Sequence, residues 1–111
     1  MSKLETLKSK QAFLRVKAKG QRYYQKNFMI QALYHENLTR WGFIITKKMG
    51  SAVTRNFIRR RLKEIIRQLS PLPQADYVII PRVNSHTVSF NDLRNEFHMA
   101  FNEIYATSPY A

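Results

Sequence analysis

The chain contains no cysteine, and this absence excludes disulfide bridges and thiolate metal sites. Acidic residues are scarce: seven Asp and Glu stand against nineteen Lys and Arg, which gives a net charge of +12. No apolar run approaches the roughly 18 residues needed to span a bilayer, and the first ten residues lack the apolar core of a signal peptide. We therefore expect a cytoplasmic protein whose partner is a nucleic acid, an anionic membrane surface or an acidic protein.

The length of 111 residues and the hydrophobic content of 44% suit one domain with a modest core. The sequence contains no internal repeat and no low-complexity tract. We predict a single domain over residues 1–111, with 1–8 and 107–111 as loose termini.

The stretch from Thr46 to Arg67 is the most informative part of the chain. It holds eight of the nineteen Lys and Arg residues and one acidic residue, Glu64. An apolar stripe at helical spacing predicts a helix over about 52–69, and it consists of Ile58, Leu62, Ile65, Ile66 and Leu69. Basic residues project from the other side, where they repel one another until phosphates neutralise them. The cluster therefore favours a polyanionic partner over a merely solvated surface.

Two further helices are predicted on either side of this one. Ser9 suits the cap of a helix that runs to about Lys19, and Gly20 suits a positive φ that ends it. Ser89 opens a last helix, which ends near Thr107.

Three strands are predicted from apolar runs, at 28–34, 41–46 and 75–83. The short spacing favours an antiparallel pair of the first two, and residues 21–27 read as a loop. Pro81 cannot donate a ladder hydrogen bond, so we expect a sheet edge or a bulge there. The order α-β-β-(β)-α-β-α indicates an α+β fold, a small mixed sheet with helices packed on it.

A longer pattern surrounds the basic helix. A strand that ends in Thr46 leads to Lys-Lys, a hydrophobic residue and Gly, and then to small residues, an Arg-Asn pair and the helix itself. This pattern resembles the signature of the bacterial ribonuclease P protein subunit, and the order of elements agrees from about Leu7 to about Tyr105. The matching residues are Thr46, Lys47, Lys48, Met49, Gly50, Ala52, Val53, Arg55, Asn56, Ile58, Arg59, Arg60 and Arg67, followed by 76–80 and Arg82.

The resemblance implies a fold like the second domain of a small-subunit ribosomal protein, with a left-handed strand–helix–strand crossover. It also implies a non-catalytic partner of a large catalytic RNA, and together the two remove the 5′ leader from precursor tRNA. Mg²⁺ would be required by the RNA, and the protein itself is expected to bind no cofactor, no membrane and no DNA. The alternative is a stand-alone RNA-binding or ribosome-associated module with no role in cleavage.

The resemblance also implies two sets of site residues. The set for the RNA subunit is Lys47, Lys48, Arg55, Asn56, Arg60, Arg61 and Arg67. The set for a leader-binding cleft between the first helix and the sheet is Phe13, Lys17, Arg59 and Lys63. No catalytic or metal-binding residue is predicted, because the three His and seven acidic residues form no recognisable metal motif.

Three positions depart from the family pattern. Phe57 replaces the motif's second Arg, Lys17 stands where a second aromatic is common, and Gln31 stands where a Tyr is common. Phe57 either packs under a loop or the N-terminal arm, or it stacks on an RNA base. Asn56 either has no role, or it fixes Arg55 or contacts RNA.

Overall fold

The computed structural model describes residues 4–35, 38–69 and 71–109. In chain order the elements are β1 (Leu4–Thr6), α1 (Lys10–Lys19), β2 (Gln21–Tyr24), β3 (Phe28–Tyr34), β4 (Thr39–Phe43), α2 (Ala52–Leu69), β5 (Ala75–Pro81) and α3 (Phe90–Thr107). Short 3₁₀ turns lie at Lys47–Met49 and Ser85–Thr87. The α+β class is confirmed, since three helices pack on one mixed sheet. None of the described helices is long and apolar enough to cross a bilayer.

The sheet has five strands in the order β1-β4-β5-β3-β2. β4 runs parallel to β1 and to β5, while β3 is antiparallel to β2 and to β5. The predicted antiparallel pairing of β3 with β4 is therefore wrong, because β5 lies between them. β5 is buried on both faces along nearly its whole length, and such a strand gains most from a central position.

The chain passes from β4 through α2 to its parallel neighbour β5, and this unit is the crossover that the resemblance implied. Its left-handed sense stays a prediction. Pro81 ends β5 beyond the register of β4, whose last pair is Phe43 with Ile79, so only β3 pairs with the strand there. This agrees with the expected local edge.

Two segments predicted to lack regular structure are strands instead. Leu4–Thr6 pairs in parallel with β4, although residues 1–8 were expected to be loose. Gln21–Tyr24 pairs with β3, although residues 21–27 were expected to form a loop. Both strands are short edge strands, which are commonly polar, and their composition therefore resembles that of a loop.

The helix ends are set mostly as predicted. The Oγ of Ser9 accepts from the Ala12 amide at 3.0 Å, and the Oγ of Ser89 accepts from the Asp92 amide at 3.1 Å. The Oγ of Ser51 caps α2 by accepting from the Thr54 amide at 3.3 Å. The reason given for Gly20 is wrong: its φ is −72°, and a Cβ there would lie 2.6 Å from the Val16 carbonyl oxygen. Glycine is required here because the backbone passes too close to the last turn of α1 to leave room for a Cβ.

The sheet has two unequal faces. The core face carries Tyr23, Phe28, Ile30, Trp41, Tyr77 and Ile79, which form one cluster with the buried sides of α2 and α3. Its aromatic rings stack closely, with centroids 3.9 Å apart for Phe28 and Phe97 and 4.5 Å apart for Trp41 and Tyr77. The opposite face, here called the open face, is crossed by α1, whose inward residues include Val16. Alternation along the strands places Gln31, Gly42 and Val78 on the open face.

Candidate nucleic-acid interface

The outward side of α2 presents the exposed part of the basic cluster. Lys47 and Lys48 are exposed on the 3₁₀ turn before the helix, and Arg60 is exposed on the helix itself. Asn56 is also exposed, and its Oδ1 accepts from the Nη1 of Arg59 at 3.0 Å. Asn56 therefore orients Arg59. The alternative in which it fixes Arg55 is not what this hydrogen bond shows.

Gly50 lets the chain turn from these lysines into α2. Its φ of +123° lies in the left-handed region, which glycine enters without the steric cost of a Cβ. The amides of Met49 and Gly50 donate to the Thr46 and Lys47 carbonyls at 3.0 and 3.3 Å. Those two amides are therefore engaged within the turn, and the lysine side chains are the groups it offers to a phosphate.

One flank of α2 faces α1 across a cavity of about 500 Å³. Arg59, Lys63 and Arg67 border it together with Phe13, and its remaining lining is Thr6, Leu7, Trp41, Gly42, Phe43 and Ile66. The ring of Phe13 lies directly on Gly42, where a Cβ would be 2.3 Å from its Cζ atom. The cavity thus combines one aromatic ring with several cations.

Arg67 is paired as well as exposed. Its Nε donates to Glu64 Oε2 at 3.0 Å, and Nη2 donates to Oε1. Hydrogen bonds from Arg67 and Gln68 lower the pKa of Glu64 to about 2, so this carboxylate is ionised at neutral pH. Because 70% of the Arg67 side chain remains exposed, a solvent-screened pair of this kind holds the guanidinium only weakly.

The other flank of α2 faces the Ser85–Thr87 turn and uses its arginine within the protein. Arg61 donates from Nη1 to the His86 carbonyl at 3.2 Å and from Nη2 to the Val88 carbonyl at 2.5 Å. Burial lowers the pKa of Arg61, yet a guanidinium remains charged at neutral pH. The guanidinium that was predicted to bind the RNA subunit therefore fixes a loop, and its contact with RNA stays a prediction.

Arg55 is half-buried at the start of α2. Its Nε is buried and has no acceptor among the described residues. The aliphatic stem of such an arginine contributes packing as well as charge. An Arg55→Ala variant would therefore disturb packing as well as remove charge, whereas Arg60 is suited to a test of charge alone.

A groove of about 640 Å³ lies on the open face between α1 and the sheet. Lys17 borders it, together with Arg22, Tyr24, Gln31 and Arg82. Apolar side chains form the rest of its wall: Met29, Ile44, Met49, Ile80, Pro81 and Val83. Tyr24 is 60% exposed, so its ring is accessible to a ligand.

The structure separates the four residues predicted for the leader. Phe13, Arg59 and Lys63 meet at the cavity beside α2, whereas Lys17 borders the groove. Sequence reasoning did not find Arg22, Tyr24 and Arg82. Alternation along Gln21–Tyr24 was the available signal, because Tyr23 is buried while Arg22 and Tyr24 are exposed on the opposite face.

Asp76 is the most buried carboxylate of the described residues, and its bonds are to residues in or next to the sheet. Asp76 accepts from Nε and Nη2 of Arg40 at 2.6 Å each, and it bonds to Nε2 of His35 at 3.0 Å. Burial acts to raise the pKa of Asp76, but the bonds from Arg40 and His35 outweigh it and lower the pKa. Within the described ranges, no three His, Asp or Glu side chains cluster as a metal site would require.

Comparisons with known proteins show the family of the chain. The ribonuclease P family model matches residues 1–105. The ribonuclease P protein component of Finegoldia magna is 36% identical over 97 residues, which cover 86% of each chain. That of Gluconacetobacter diazotrophicus is 36% identical over 103 residues, which cover 85% of this chain and 89% of the relative.

Two solved structures share the fold. The RNase P protein of Staphylococcus aureus has a TM-score of 0.82 at 23% identity, with 92% of this chain and 96% of that chain covered. The RNase P protein from Thermotoga maritima has a TM-score of 0.79 at 24% identity, with 89% and 96% covered. At 23% and 24% identity these structures show only the shared fold, whereas the sequence relatives, at 36% identity, show the family. The chain belongs to the ribonuclease P protein family, whose members are the accessory subunits of the ribonucleoprotein enzyme that processes tRNA 5′ ends.

Proposed function

We propose that this subunit promotes leader removal by holding two RNAs at once. The outward side of α2 binds the catalytic RNA, and the groove on the open face binds the single-stranded 5′ leader of precursor tRNA. The observation that carries the proposal is the composition of the groove, where Lys17, Arg22 and Arg82 surround the exposed ring of Tyr24.

The groove has the chemistry that a single strand of RNA requires. Bases stack on aromatic rings without regard to sequence, and cations along the same channel pair with the backbone phosphates. The cavity beside α2 offers the same combination through Phe13, Arg59 and Lys63, and we assign it to the same strand. Gln31 lines the same groove but is buried, so it shapes the groove wall more than it offers polar groups to a base.

The outward side of α2 has the chemistry of a phosphate-binding surface. Lys47, Lys48 and Arg60 are exposed, and their side chains make no hydrogen bond among the described residues. If about six phosphates are neutralised, the logarithm of the affinity should fall with the logarithm of salt at a slope of about −4 to −5.

The catalytic centre, in this proposal, lies in the RNA. Mg²⁺ acts by positioning phosphates of that RNA, and the protein lowers the concentration that is needed by supplying fixed cations. The natural ligands are RNA and not DNA, and the protein works in the cytoplasm, where bacterial tRNA precursors are made.

Reconstitution with the cognate RNA subunit tests the proposal. At low Mg²⁺ the RNA should cleave precursor tRNA only when this protein is added, and the protein alone should cleave nothing. Absence of any rescue would favour a stand-alone RNA-binding module.

A matched pair of variants tests the groove. Lys17→Ala should lower the affinity of the holoenzyme for precursor tRNA and leave its affinity for mature tRNA unchanged. Lys19→Ala removes the same charge from an exposed position of the same helix, but it borders a different hollow, beside Arg15 and Arg40. Equal effects of the two variants would contradict a leader site in the groove.

A further inference from the structure

Phe57 is an exposed aromatic ring within the basic face of α2. It is 41% exposed, and Val53, one turn before it, is 77% exposed. Neither residue belongs to the apolar stripe that α2 buries, which includes Ile58, Leu62 and Ile65. An exposed ring among cations has the two features that bind an unpaired nucleotide, a flat apolar face for the base and positive charge for the phosphate.

Arg61 makes this ring a rigid platform. Its guanidinium carbon lies over the ring, 5.1 Å from the centroid, within the range of a cation–π contact. The guanidinium is itself fixed by its bonds to the His86 and Val88 carbonyls. The exposed part of the ring therefore lies on the side that Arg61 does not cover, and little side-chain freedom remains to be lost on binding.

We propose that an unpaired base of the RNA subunit stacks on the exposed side of Phe57, so that the ring lies between the base and Arg61. This inference rests on the proposed function and deepens it, because it adds a contact to a base where the lysines and Arg60 contact phosphates.

The residues around Phe57 indicate which molecule supplies the stacked base. Asn56 and Arg60 are exposed close to Phe57 on the helix, and a polyanion satisfies such surroundings better than an apolar protein surface does. Phe57 borders neither the cavity beside α2 nor the groove on the open face. The base therefore comes from the RNA subunit and not from the leader.

The test measures the affinity of the full-length protein for the RNA subunit over a series of salt concentrations. Phe57→Ala should weaken binding roughly 5- to 150-fold, the range of one base stacked on an aromatic ring. The slope of log affinity against log salt should not change, because no phosphate contact is removed. Phe57→Tyr should bind like the wild type, and Phe57→Leu, which keeps an apolar side chain without a planar face, should not.

Val53→Ala is the matched control, since it trims an exposed apolar residue one turn away and should leave the affinity unchanged. Thermal unfolding of each variant checks that the folded state persists, as the ring is not part of the core.

Wild-type affinity in Phe57→Ala, or full affinity in Phe57→Leu, would overturn the stacking contact. A reduced salt slope in Phe57→Ala would overturn it too, since the loss would then come from displaced cations. These results leave the proposed function intact if the wild-type protein still binds the RNA subunit and rescues cleavage at low Mg²⁺. Failure of the wild type in that assay would instead contradict the proposed function itself.

Discussion

Two adjacent tyrosines of β2 show how differently the faces of the sheet are used. Tyr23 points to the core face, where its hydroxyl bonds to Tyr34 at 2.6 Å and to Thr107 at 2.7 Å. Tyr24 points to the open face, where it is 60% exposed and borders the groove. The same side chain therefore supports the fold at one position and is available to a ligand at the next.

The two faces of the sheet differ in the same way along their whole extent: one is buried and the other is partly exposed. Two long helices cover the core face and bury stacked aromatic rings, so most of the apolar burial that stabilises the domain lies there. α1 covers the open face only in part, with a groove on one side and a second hollow on the other. A face that contributes less to stability can carry exposed rings and cations for binding.

The largest expected effect is on the core face. Tyr23→Ala removes a buried ring and leaves the hydroxyls of Tyr34 and Thr107 without their shared partner, so it should cost about 3–5 kcal/mol of unfolding free energy. Urea unfolding followed by circular dichroism measures this loss. Tyr23→Phe is the control, because it keeps the ring and loses only the bonds of its hydroxyl, at about 0.5–1.5 kcal/mol each. Equal losses in the two variants would show that the ring contributes little.

Asp76→Asn should have the next largest effect, and it changes a carboxylate that is buried on the open face. The side chain is 3% exposed, and Asn keeps its shape but removes the charge to which Arg40 and His35 bond, at a cost of about 3 kcal/mol at neutral pH. The pKa of Asp76 is lowered in the folded protein. Its contribution is therefore fully present above the unfolded pKa of about 3.9 and is lost as pH falls through the folded value.

The gap in stability between wild type and Asp76→Asn should accordingly shrink as pH falls below the unfolded pKa of about 3.9. Urea titrations at several pH values measure it. Asp92→Asn, which changes an exposed carboxylate on α3, is the control and should show a small gap throughout. A gap that stays unchanged in solutions well below that pKa would mean that Asp76 is not held as the ionised partner of Arg40.

The sequence predicted α2 to the residue, because one strong apolar stripe and clear end signals coincide there. It did not predict that β5 separates β3 from β4, since strand patterns carry no information about which strands become neighbours. β2 was missed because a polar edge strand of four residues resembles a loop. The family pattern supplied the cations of the site, but only the folded chain shows that Arg61 bonds to a loop and that Lys17 and Phe13 border different cavities.

The smallest expected change in stability is on the open face, and it sharpens the comparison of the tyrosines. Tyr24→Ala alters an exposed position on an edge strand and should cost at most about 1 kcal/mol. The same change should weaken holoenzyme binding of precursor tRNA roughly 5-fold or more through loss of a stacked base, with mature tRNA unaffected. Binding titrations with the two tRNAs, run beside urea unfolding, separate the effects. A Tyr24→Ala protein that is strongly destabilised, or that binds both tRNAs as before, would show that the open face does not have the binding role inferred from its exposed ring.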